Sequence, residues 1–265
     1  MKLRQIGTAI AGAALALSLV ACGGSPAATG TSSNGSTVYK IATDTTFAPF
    51  EYAEANGNYA GIDIELLDAI AKDQGFEYKL DPVGFDAALQ NVQSGQADGV
   101  IAGMSITDKR KQVFDFSEPY YNATVCAAAK SDGDVKSLDD LRGKNVAIKT
   151  GTMSASWAQS LAEQYGFTTT TFDTSDVMYQ DVLAGNSVAC FEDTPVMSYA
   201  ITNGGVALHI IAESEETSEF AAPYGFAVNK GTNPDLIKKF NDGLANVKKD
   251  GTYDKIISKY VKTNA

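Results

Sequence analysis

Strand-like and helix-like segments alternate twice along this chain, and that order confines it to an α/β fold built in two successive units. In the first run, residues 38–42 alternate and carry β-branched side chains, which predicts a strand. Leu66, Leu67, Ile70 and Ala71 then recur at helical spacing up to Gly75. A strand-like segment follows, and Phe85, Ala88, Leu89 and Val92 mark a second helix stopped at Gly95. A short apolar strand is predicted at 99–102. Strand, helix, strand, helix, strand is the order of a parallel sheet.

The second run has predicted strands at 125–129, 145–149, 169–172 and 188–191. Between them, Ser137, Leu138, Asp139 and Asp140 resemble a capping box opening a short helix that Gly143 closes. Longer helices are predicted at 153–165, closed by Gly166, and at 176–184. Two further helical stretches, 235–248 and 253–260, are surplus to this unit, so the chain is expected to cross back to the first. Ligands of such sheets bind beyond the carboxyl ends of strands, which makes a cleft between the units the default site.

The N-terminus reads as a targeting segment. Lys2 and Arg4 precede an apolar stretch at 6–20, which ends in Leu19, Val20, Ala21 and Cys22. This pattern resembles a bacterial lipobox, so residues 1–21 are expected to be a lipoprotein signal peptide and Cys22 the lipidated first residue of the mature chain. Residues 22–37 are rich in Gly, Ser, Thr and Ala without apolar periodicity, which predicts a flexible tether.

Charge excludes some partners. The chain has 21 basic and 32 acidic residues; without Lys2 and Arg4 the balance is 19 against 32, a net charge of −13. That argues against nucleic acid as a partner, and an anionic ligand would need local positive charge. Cys126 and Cys190 each fall in a predicted buried strand and read equally well as inert thiols or as a disulfide. The single histidine, His209, has no Cys or His neighbours in sequence, so no metal site and no cofactor are expected.

One short run carries chemistry. Residues 103–110 (GMSITDKR) follow the strand predicted at 99–102 and place small and hydroxyl groups just before Arg110. A guanidinium grips a carboxylate through two parallel hydrogen bonds, and Ser105 with nearby amides can complete the cradle. Taken alone, the alternating charges of Asp108, Lys109, Arg110 and Lys111 read as a solvated surface.

Four blocks change that balance: residues 42–52 (ATDTTFAPFEY), 61–66 (GIDIEL), 105–110 (SITDKR) running on to 114–117 (FDFS), and 250–253 (DGTY). With these in register, the chain resembles the family 3 extracellular solute-binding proteins that serve polar amino-acid ABC importers, particularly the glutamine-binding members. The resemblance implies a two-lobed periplasmic-binding-protein fold of type II, with a hinge of two crossing strands and the ligand cleft between the lobes. It implies lobe 1 at 38–119, a hinge crossing at 120–124, lobe 2 at 125–218, a second crossing at 219–224, and a return to lobe 1 at 225–262.

It also implies roles. Arg110 would clamp the ligand carboxylate, helped by Ser105, Gly103, Thr152 and the Met153 amide. Asp193 would be the ammonium counter-ion, although Asp-Thr-Pro is also a good helix start. Asp44 would face the side chain or ammonium, and Phe47 and Phe85 would enclose the side chain, with core packing a competitor for Phe85. Lys149 stands where glutamine-binding members carry a lysine, which favours a carboxamide or carboxylate. Glu192 stands where they carry a histidine, and Lys149 and Glu192 could pair with each other.

The resulting expectation is a lipid-anchored, extracytoplasmic, monomeric binding protein and not an enzyme. It would capture a polar amino acid, glutamine-like or acidic, and deliver it to an ABC importer permease in the cell membrane. The alternatives are a prephenate-type dehydratase on the same fold, with Glu192 as its general acid, and a ligand-sensing module.

Overall fold

The computed structural model describes residues 37–261. The expected signal peptide, Cys22 and the tether up to residue 36 lie outside the described residues.

The chain begins with β1 (Val38–Thr43), followed by three short antiparallel strands, β2 (Thr46–Phe47), β3 (Glu51–Ala53) and β4 (Tyr59–Ala60). Then come α1 (Ile62–Gln74), β5 (Glu77–Pro82), α2 (Phe85–Gln93), β6 (Gly99–Val100), the one-turn α3 (Asp108–Lys111) and β7 (Phe114–Phe116). β1 is an interior strand with both of its faces covered. It pairs in parallel with β5 and with β6. One face packs Ile41 against Leu66, Leu67 and Ile70 of α1, and the other buries Ala42 with Ala88 and Val92 of α2.

β8 (Tyr121–Asn122) leads into the second unit: β9 (Val125–Lys130), β10 (Asn145–Lys149), α4 (Met153–Tyr165), β11 (Thr168–Phe172), α5 (Ser175–Leu183), β12 (Ala189–Asp193), α6 (Thr194–Thr202) and β13 (Leu208–Glu213). Its sheet runs β11-β10-β12-β9-β13. The three strands β10 to β12 are parallel, and β9 runs antiparallel to β12. The chain then returns through β14 (Pro223–Tyr224) and β15 (Ala227–Asn229) to α7 (Pro234–Lys249) and α8 (Thr252–Tyr260). β15 lies between β6 and β7 in the first sheet, antiparallel to both, and α7 packs Phe240 and Leu244 into the first core.

The two crossings meet where β8 and β14 pair antiparallel, Tyr121 opposite Tyr224. Phe50 lies beneath them, fully buried, with its ring edge-on to Tyr121 at 4.9 Å and to Tyr224 at 5.0 Å.

α1 and α4 close at Gly75 and Gly166, both left-handed, as their positions in sequence predict. Other expectations shift. Residues 137–140 form a capping box, but only a 3₁₀ turn follows (Leu138–Leu141), because Arg142 is already extended. β6 is two residues shorter than predicted. Ile101 still donates its N–H to Ala42, after which the backbone bends towards Gly103. Cys126 and Cys190 are free and buried, in the layer that Met178 and Val182 of α5 fill.

Candidate functional site

The ends of β1, β6, β10 and β12 converge on one small cavity between the two sheets. Asp44, Phe47, Phe85, Gly103, Ser105, Arg110, Lys149, Thr152, Met153 and Asp193 line it, together with Ala102. Every residue named as a candidate from the sequence is therefore on its wall, except Glu192. A larger cavity of about 890 Å³ lies behind the hinge strands, between Pro49, Tyr199 and Tyr260. None of the candidate residues reaches it.

Arg110 is placed by local structure. Thr107 caps α3 by accepting the Arg110 N–H at 3.1 Å, which ties residues 107–110 into one turn. The guanidinium then spans the cleft. It donates to the Ser105 carbonyl at 2.8 Å on its own side and to the Gly151 carbonyl at 3.0 Å on the other. It stands over the Phe85 ring, 5.3 Å from the centroid, so Phe85 serves core and cleft at once. Burial lowers the arginine pKa to about 10, which leaves it charged at neutral pH.

Opposite it, Thr152 caps α4. Its hydroxyl accepts the Ala155 N–H at 3.1 Å and donates to the Lys149 carbonyl at 2.9 Å. The first amides of α4, starting with Met153, have no acceptor inside the helix and form an anion-favouring end.

Lys149 and Asp44 form a buried ion pair across the cleft, each side chain 1 % exposed. Lys149 also donates to Ser175 Oγ at 3.3 Å and lies 5.1 Å from the Phe47 ring centroid. Burial opposes its charge, but Asp44 and Glu192 outweigh that and hold its pKa above the usual value.

Glu192 departs from expectation. Successive residues of a strand point to opposite faces, so Glu192 and Asp193 cannot both enter the cleft from β12. Asp193 does. Glu192 turns behind the wall, where Oε2 accepts from Ser175 at 2.8 Å and Tyr179 at 2.9 Å, and Oε1 from the Asp193 amide at 3.0 Å. Its link to Lys149 runs through Ser175, and the direct partner of Lys149 is Asp44.

Asp193 does not cap α6 with its side chain, although Thr194 and Pro195 follow it. One carboxylate oxygen, Oδ2, accepts from Tyr224 at 2.5 Å, and the other is buried without a partner. Burial, reinforced by Glu192, raises its pKa to about 7. Arg110 is near enough to favour the charged form, yet no direct ion pair joins the two.

Sequence reasoning missed Tyr224, the support of Glu192 by Ser175 and Tyr179, and the acids Glu51 and Asp63 beneath the floor. Both acids stand in blocks that carry the family resemblance. Asp63, in the first turn of α1, has the pattern of an ordinary helix-dipole acid, which conceals its burial.

Gly103 is left-handed (φ 51°), and a Cβ there would fall 2.4 Å from Phe47 Cε1. Gly103→Ala is expected to cost about 2 kcal/mol from overpacking and backbone strain. Thermal unfolding should then shift by several degrees; an unchanged midpoint would show that Phe47 yields freely.

The fold and cleft define a two-lobed binding protein with its lobes in contact. The sequence model of the bacterial extracellular solute-binding proteins, family 3, matches residues 39–263, and the chain belongs to that family. It is 33 % identical over 260 residues to a probable histidine-binding protein of Neisseria gonorrhoeae, covering 97 % of this chain and 95 % of that one. Among solved structures it is similar to the second substrate-binding domain of Lactococcus lactis GlnP in an open conformation, at 45 % identity and TM-score 0.60, covering 89 % and 100 % of the two chains. It is also similar to an ancestral arginine-binding protein bound to glutamine, at 38 % identity and TM-score 0.77, covering 85 % and 98 %. Shape similarity is thus greater to the ligand-bound protein than to the more identical open domain, as expected when the lobes here are closed.

Proposed function

We propose that this protein captures a free α-amino acid with a carboxamide side chain, glutamine in the first place, by closing its lobes over it. One observation carries the reading. The cavity holds an arginine at one position and a carboxylate with an unpartnered, buried oxygen at another, with no ion pair between them. A zwitterion fits that arrangement: its carboxylate faces Arg110 and the first amides of α4, and its ammonium faces Asp193 Oδ1. Ser105 completes the carboxylate side, Gly103 forms the wall there with its own N–H held by Asp63, and Phe47 and Phe85 enclose the side chain.

The remaining pair sets the preference. Lys149 donates and Asp44 accepts, and a carboxamide offers one acceptor and one donor group. A cationic side chain would meet the Lys149 ammonium, and an acidic one the Asp44 carboxylate. Closure follows from differential contact, because only the closed form lets one ligand touch both lobes. The loaded form would be delivered to an ABC importer permease. The lipobox at Cys22 supports anchoring by lipid at the outer face of the cell membrane, with the tether up to residue 37 as spacer. The engagement of both Glu192 oxygens away from the cleft weighs against a dehydratase with that residue as its acid.

A thermal-shift screen against the standard amino acids tests the reading. At about a thousandfold excess over Kd a ligand adds roughly 4 kcal/mol of stability, so glutamine should raise the midpoint by about 10 °C. A larger rise with arginine or histidine would overturn the carboxamide preference, and no rise with any amino acid would overturn the class.

A further inference from the structure

Glu51 and Asp63 form a buried pair of acids behind the cleft, outside the contacts assigned to the ligand. Both residues are fully buried. Asp63, from the first turn of α1, accepts the Gly103 N–H at 2.8 Å and the Tyr120 hydroxyl at 2.8 Å, both on Oδ2. Its Oδ1 and both carboxyl oxygens of Glu51 meet no N–H or O–H donor. The Asp63 N–H donates to the Phe50 carbonyl at 2.9 Å, which sets the start of α1 beside residues 50 and 51 and makes the two buried acids neighbours.

Two adjacent carboxylates with three unmet oxygens cannot both stay ionised in so dry a place. A protonated carboxyl is a donor, and one proton between the two supplies the missing hydrogen bond. We propose that Glu51 and Asp63 share a single proton, and that through it Glu51 is a positioning residue for the Gly103 amide on the cleft wall. Tyr120 extends the same unit to the hinge, since its N–H donates to the Tyr224 carbonyl at 2.9 Å.

The charged surroundings agree. Glu51 faces Asp63 from α1, Asp44 from the end of β1 and Lys149 from the other lobe. Burial and the two acids hold its pKa well above the usual carboxylate range, and Lys149, committed to Asp44 and Ser175, opposes this only in part. Burial raises Asp63 to about 6, against the donors from Gly103 and Tyr120. The sign follows. Glu51 in the unfolded chain titrates near ~4.3 and in the folded chain higher, so the folded protein holds the extra proton at neutral pH. Stability from the pair is complete below the unfolded pKa and is lost as pH rises through the folded one.

Glu51→Gln tests this, because its amide still donates to Asp63 but cannot titrate. In ligand-free protein at neutral pH, the infrared carbonyl stretch of the carboxyl holding the shared proton should stand beside that of part-protonated Asp193 in the wild type, and the variant should lose the first and keep the second. Raising the pH from about 6 to about 9 should lower the thermal midpoint of the wild type relative to the variant. With glutamine as probe, wild-type affinity should weaken more steeply at alkaline pH than Glu51→Gln affinity, since loss of the ligand's own ammonium proton is common to both. Glu51→Ala, which lacks the donor, should lose roughly tenfold at all pH values. Should Glu51→Gln not fold, Asp63→Asn, which supplies the donor from the other side, should remove the same infrared band. Identical carbonyl spectra and parallel pH profiles in wild type and variant would overturn the shared proton. The infrared measurement needs no ligand, so its failure is distinct from failure of the amino-acid reading.

Discussion

Arg110→Ala is expected to weaken glutamine binding by about 100-fold or more while leaving the fold intact. The guanidinium is held by two carbonyls, Ser105 and Gly151, and these use only part of its five N–H groups. Removing one partner of a buried, hydrogen-bonded charge pair costs about 2–5 kcal/mol, mostly from the charge left behind. Here that charge is the ligand carboxylate. The protein itself loses a side chain that lies on the cleft wall and not in a core, so unfolding should move little. Arg110→Lys should also bind poorly, because an ammonium cannot reproduce the planar fork that bridges the two lobes. Calorimetry with glutamine decides this, and unchanged affinity in Arg110→Ala would remove the carboxylate assignment.

Asp193→Asn should be nearly as damaging, and its signature differs. The amide keeps the volume and can still meet the Tyr224 hydroxyl, but it offers the ligand ammonium no charge. A loss of roughly 30-fold to 4,000-fold follows from the same 2–5 kcal/mol range. In the wild type, burial and Glu192 raise Asp193 to about 7, and a bound ammonium would favour its ionised form. Binding should therefore release protons near neutral pH, and affinity should fall as pH drops below about 7. The substituted amide cannot titrate, so the variant should lose this acid-side dependence together with its affinity. A variant that binds weakly but keeps the same acid limb would place the titration elsewhere.

Much of the fold was legible because its signals are local. Thr152 and Gly166 bound α4 in sequence as they do in space, and the 3.6-residue spacing of Leu66, Leu67 and Ile70 marks the buried face of α1. The strands β2 to β4 escaped notice because two- and three-residue strands carry no period. The candidate site was legible for a different reason. The residues lining the cavity stand at strand ends or helix starts, where a parallel α/β fold brings its ligand-facing groups together.

Glu192 marks where that reasoning fails. Its place where glutamine-binding members carry a histidine implies a part in the site, but strand alternation sends the Glu192 and Asp193 side chains to opposite faces. The Lys149–Asp44 pair failed to appear for another reason. Its partners are 105 residues apart, on different lobes, and meet only when the cleft is closed. Glu51 and Asp63 likewise acquire meaning only through the burial that tertiary packing imposes.

The central claim is that the cavity recognises both charged groups of an α-amino acid at once. Isothermal titration of glutamine beside its two truncated analogues, 4-aminobutanamide without the carboxylate and 4-carbamoylbutanoate without the ammonium, tests it most directly. Glutamine should bind with a Kd of micromolar or below, about −8 kcal/mol or better, and each analogue at least about 100-fold more weakly. Binding of either analogue as tightly as glutamine would contradict the assignment of Arg110 and Asp193 as the two charge partners.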